Sequence, residues 1–175
     1  MAISQSPMYG SIKQDGNVPK VLYKQAFGSG GVEHENTTDA ADLFSYSIPA
    51  NTLEVGDIVR VKIYATVIDS NGSDTLTPIL NIAGSACATG AALDVADNDV
   101  VWAEAEIFVT KIGSAGAMNA FGKMTTNTGD TQVCLGSALS SKDTTAAIAI
   151  ALNVDWDAAH ADNEVRLDAA IVEVL

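Results

Sequence analysis

The residues of this chain that could do chemistry are two histidines, two cysteines, one pair of glutamates two positions apart, and three loops rich in aspartate and asparagine. A catalytic nucleophile needs a base within hydrogen-bond reach. His34 lies in a polar stretch and His160 in Asp157-Ala-Ala-His-Ala-Asp162, and neither adjoins a Gly-x-Ser-x-Gly elbow or a cysteine. Both read as surface histidines. No Cys-x-x-Cys or His-x-x-x-His spacing organises a zinc site. Cys87 and Cys134 are too few for a disulfide framework, and each is flanked by small residues where a thiol packs as a small hydrophobe. Whether they pair is a matter of geometry that spacing leaves open.

Glu104 and Glu106 fall on one face of any strand that contains them. A glycosidase uses such a carboxylate pair across a sugar cleft. A solvated or interface-facing strand shows the same spacing, and Trp102 and Phe108 are the only aromatic residues expected beside them. The oxygen-rich loops are Asp69-x-Asn71-x-x-Asp74, Asp94-x-x-Asp97-Asn98-Asp99 and Asp155-x-Asp157. Calcium takes six to eight oxygens, and none of the three has the EF-hand order. Turn chemistry accounts for each, because Asp and Asn side chains bond their own backbone. Gly28-Ser-Gly-Gly31 lacks the Lys-Ser/Thr of a phosphate loop. The expectation is a non-enzyme with no catalytic residues, no cofactor and no metal.

The elements that would position these residues are strands. With 175 residues there is room for one domain and one core. Hydrophobic residues make up 47% but aromatics 6%, so that core is built from Ala, Val, Ile and Leu. Charged residues are 18%, below the roughly 25% of an average domain, which suits a surface partly covered by partners. From Asp57 to Asp69, Val59, Val61, Ile63, Ala65 and Val67 alternate with Arg60, Lys62, Tyr64 and Thr66. That is the pattern of a half-buried strand. Asn71-Gly72 suits a turn with positive φ, and Thr75 to Ile82 returns, with Pro78 demanding an edge or a bulge.

Val100 to Ile112 alternates in the same way, with Val101, Ala103, Ala105, Ile107 and Val109 opposite Trp102, Glu104, Glu106 and Phe108. Further strands are expected at Lys20 to Phe27, Ala41 to Ile48, Met118 to Thr125, Thr144 to Trp156 and Glu164 to Leu175. A short one is expected at Gln132 to Leu135. Val32 to Ala40 reads as a loop. The fold class is all-β: a jelly-roll-like β-sandwich of about eight antiparallel strands, residues 20–175, behind an extended N-terminal arm, residues 1–19.

Charge divides the chain in the same place. Net charge is −13, yet Lys13, Lys20 and Lys24 face one acid, Asp15, before Gln25, leaving 6 basic (9 − 3) and 21 acidic residues (22 − 1) after it. The arm is a candidate for docking on a neighbour. No basic cluster exists to neutralise phosphates, so nucleic acid is not an expected partner, nor is an anionic membrane. The N-terminus lacks signal-peptide regions and no apolar run reaches membrane-helix length, so synthesis in a cytoplasm is expected.

The stretch Ala41-Asp-Leu-Phe-Ser-Tyr-Ser-Ile-Pro-Ala-Asn-Thr-Leu-Glu-Val-Gly-Asp-Ile-Val-Arg-Val-Lys-Ile-Tyr-Ala65 resembles a pattern of small bacteriophage structural proteins. In that pattern a strand ends in Ile-Pro-Ala/Gly, and Thr-Leu-x-x-Gly-Asp then leads into a long alternating strand. Locally, Pro49 closes one strand, Gly56-Asp57 starts the next, and Leu53 and Val55 tuck the connection onto the core. The resemblance extends from Ala41 to Leu175 and leaves the arm outside. It implies a virion β-sandwich of the head decoration (cement), head-fibre or tail-fibre kind. The decoration reading expects a homotrimer on the outer surface of the head, with the major capsid protein as partner. Contacts would come from Lys13, Lys20 and Lys24 and from the outward side chains Tyr64, Trp102, Phe108 and Ile112, unless those outward residues belong to a second sheet's core. The alternative is a receptor- or carbohydrate-binding domain on a fibre, which needs an exposed aromatic platform that Trp102 could supply; Trp156 reads as buried.

Overall fold

Alternation dominates the backbone. In the computed structural model, which describes residues 19–27, 31–89, 92–126 and 131–175, twelve strands form and no helix does. They are β1 (Lys20–Gln25), β2 (Glu33–Glu35), β3 (Ala41–Ile48), β4 (Ile58–Asp69), β5 (Thr75–Ile82), β6 (Ser85–Thr89), β7 (Leu93–Asp94), β8 (Val100–Lys111), β9 (Gly116–Thr126), β10 (Thr131–Lys142), β11 (Ile148–Trp156) and β12 (Glu164–Val174). Lys13 and nearly all of the expected arm lie outside the described residues.

The strands make two antiparallel sheets. The larger has the order β1-β12-β4-β8-β9-β10, with β2 also on β12; the smaller has the order β3-β11-β5-β6, with β7 also on β5. Pairing follows a wound ribbon: β1 with β12, β3 with β11, β4 with β8, and β5 with β6. This is the strand pairing of a jelly roll, and the β9–β10 hairpin extends its larger sheet. The all-β, jelly-roll-like sandwich expected from the sequence is the fold.

Period two sets the register. Val59, Val61, Ile63, Ala65 and Val67 of β4 are fully buried, and Val101, Ala103, Ala105, Ile107 and Val109 of β8 nearly so. A one-residue slip would turn this whole set to solvent. From the other sheet come Leu76, Leu80, Ile82, Ile150, Leu152, Val154 and Trp156. Small residues at Ala105 and Gly122 bring β8 and β9 together: a Cβ on Gly122 would lie 2.9 Å from Ala105 Cα.

Several local expectations are corrected. Asn71 and Gly72 have ordinary φ; the turn closes instead through the Asp74 amide donating to the Asn71 carbonyl at 2.8 Å. The reason is topological, because β4 and β5 lie in different sheets and the connection is a crossover. Val32 to Ala40 contains β2, and Gln132 to Leu135 is part of the longer β10. Val55 is exposed although Leu53 is buried. Gly56 does take positive φ, at 99°. On the outer side of β5, Thr77 and Pro78 fall between the pairing to β7 and that to β6, so the missing proline N–H meets no ladder there.

Candidate functional site

Among the described residues, the outer face of the larger sheet brings charged and aromatic side chains of three strands together. Register across β4, β8 and β9 gives four rows: Tyr64–Trp102–Thr125, Lys62–Glu104–Lys123, Arg60–Glu106–Phe121 and Ile58–Phe108–Asn119. Aromatic rows thus flank two charged rows. Tyr64 and Trp102 stack at 5.9 Å between centroids, and Phe27 lies 5.9 Å from Tyr64 on its other side. Phe108 meets Phe121 edge-on at 5.7 Å.

Ion pairs fix the charged rows. Arg60 reaches Glu106 at 3.2 Å and Glu173 at 3.1 Å, and Lys123 reaches Glu104 at 3.4 Å. Lys123 also holds its ammonium 4.7 Å from the Trp102 ring centroid, a cation–π contact. Lys62 has no carboxylate partner among the described residues. Between these groups runs a cleft of about 480 Å³ lined by Arg60, Lys62, Glu104, Glu106, Phe121 and Lys123. Glu104 and Glu106 are therefore each engaged by a cation.

Tyr64, Trp102 and Phe108 belong to this outer face, not to the space between the sheets. Ile112 is elsewhere. It lies past the end of β8 and lines a separate recess of about 260 Å³ with Leu53 and Thr144. Phe27, Phe121 and Lys123 were missed as neighbours because cross-strand register is invisible before pairing is known. Lys20 and Lys24 are exposed on β1, the outermost strand. Between them Val21 is 51% exposed, and Phe27 (69%) and Val32 (54%) continue along the same margin of β12.

The other candidate chemistry resolves into structure. His34 is buried on β2, contrary to the surface reading, because pairing opposite Val165 turns it inward. Its Nε2 and the nearby Asp155 Oδ1 have no hydrogen-bond partner among the described residues. His160 stays exposed beside Asp162. In the oxygen-rich loops, Asp74 accepts from Asn163, Asp97 from the Ser70 amide, Asp99 from the Ala96 amide and Asp157 from the Thr75 amide. These are turn and crossover bonds, and no three metal-ligating side chains converge among the described residues. Cys87 is buried and disulfide-bonded; the side chain of Cys134, on β10, lies outside the described residues.

No family model matches the chain, and no curated protein does. Solved structures similar to it include an engineered GH43 glycoside hydrolase with endo-xylanase and exo-arabinofuranosidase activity, at 13% identity and a TM-score of 0.45, covering 87% of this chain and 36% of that one. The infectious bursal disease virus Gx strain structure is similar at 13% identity and 0.42, covering 100% and 36%. The CBM2 module of the evolved Dit of Lactobacillus casei BL23 phage J-1 is similar at 15% identity and 0.29, covering 74% and 68%. The chain thus spans about a third of the first two proteins. Likeness at this level does not extend to activity.

Proposed function

We propose that the chain is a non-catalytic bacteriophage virion protein that decorates the outer surface of the head and ties neighbouring major capsid proteins together as a homotrimer, after synthesis in the host cytoplasm. The observation that carries this reading is the β1 margin. An outermost strand leaves one row of backbone groups unpaired, and here it also exposes Val21 between Lys20 and Lys24, next to Phe27 and Val32. Soluble proteins seldom leave such a margin uncovered. Lys20 and Lys24 thus make this margin of an otherwise acidic body basic as well as apolar, and the sequence preceding it adds Lys13.

The test is to mix the purified chain with tailless, undecorated heads. Copy numbers comparable to the major capsid protein support decoration; absence from the heads overturns it. Removing residues 1–18, or introducing V21E together with K24E, weakens head binding about tenfold or more if the margin docks. Unchanged binding overturns that assignment. A receptor- or carbohydrate-binding role on a fibre is the second reading, favoured by the charged cleft and its aromatic borders.

A further inference from the structure

We infer that the cleft across β4, β8 and β9 binds an acidic saccharide, a uronate-bearing stretch of polysaccharide, with the sugar carboxylate seated on Lys62. This deepens the second reading above; the cleft shares the outer face of the larger sheet with the β1 margin, where Val21 stands opposite Glu173 and Glu173 opposite Arg60.

Charge is the first argument. Three of the six basic residues that follow Gln25, namely Arg60, Lys62 and Lys123, line this one cleft, while the same span holds 21 acidic residues. Gathering cations at one spot of an acidic body favours an anionic ligand there and disfavours it elsewhere. Arg60 and Lys123 are already engaged by glutamates, and Lys62 is the cation left to meet an incoming carboxylate.

Hydrogen-bonding sense is the second. A sugar ring presents hydroxyls that both donate and accept. Glu104 and Glu106 are acceptors, Arg60 and Lys123 donors, and all four lie along the cleft. Phe121, 51% exposed, offers a ring face for the apolar side of a pyranose. The cleft volume falls in the range of small-ligand sites, roughly 300–1,000 Å³. Its groups stand on strands, and Arg60, Glu104, Glu106 and Lys123 are held by ion pairs, so little ordering of these four is needed on binding.

The experiment is calorimetric titration of the full chain with tetragalacturonate, a hyaluronan hexasaccharide and an oligomannuronate, each against a neutral oligosaccharide of the same length. Saturable binding of at least one uronate is expected, about tenfold or more tighter than its neutral counterpart, weakening as salt rises. K62A and F121A each weaken it about tenfold, and K62R retains most of it; both positions face solvent on the sheet, and unchanged melting temperatures verify folding. Equal affinity for neutral sugars, or indifference to both K62A and F121A, overturns the inference and leaves a glycan-binding role standing. No binding to any saccharide overturns both, and head decoration is scored separately.

Discussion

Burial holds the His34 imidazole below its ordinary value of 6.5, with Asp155 and Asp39 pulling the other way. The folded state therefore resists a proton that the unfolded chain accepts. Its contribution is present above the unfolded value and is lost as pH falls through 6.5 toward the lower folded value. Denaturant titrations at about pH 7.5 and pH 5.5 are expected to show a lower midpoint at the acid side, and H34Q to show a smaller drop. An equal drop in both proteins removes this account. Trp156, 1% exposed, fills the core where β11 meets β5, and W156A is expected to cost about 3–5 kcal/mol by denaturant unfolding. Trp156 was legible from the even-numbered apolar series of its strand. His34 was not, since three alternating residues between acidic neighbours look the same in a loop as in a short strand.

At the scale of elements, the close approach of β8 and β9 depends on Gly122, where an added methyl would meet Ala105 and the Glu104 carbonyl. G122A is expected to destabilise by about 1–3 kcal/mol, read as a lower urea midpoint at unchanged slope. R60A, which removes half-exposed ion pairs to Glu106 and Glu173, should change stability by less than about 1 kcal/mol. The long strands β4, β8 and β12 were legible because five or more alternating positions fix a period. β2, β6 and β7 were not, because two to five residues carry no period and are strands by virtue of the neighbour they pair with. The cleft belongs to the same class: its residues come from three strands and share a face only after registration.

For the whole molecule, the covalent link at Cys87 adds to the ladders at β6, which packs close to β9 and β10 of the opposite sheet. C87S is expected to lower stability by about 2–5 kcal/mol, measured by thermal unfolding against the oxidised parent; a melting temperature equal to the parent's would show the bond to be dispensable. Fold class could be read in advance because patterning decides which faces are apolar. Which sheet receives each strand could not, since Asn71-Gly72 looked like a hairpin turn and instead carries the chain across the sandwich.

The place of β12 has one more effect. It lies inside the larger sheet, between β1 and β4, and also receives β2. A ribosome must therefore release almost every residue up to Val174 before β1 and β2 can join the layer and before β4 gains its second neighbour, although β4, β8, β9 and β10 pair without it. Loops of such length close slowly, so nascent copies stay adhesive for longer than a helical bundle would. Crowded synthesis would reward a chaperone that shields β4 while it waits.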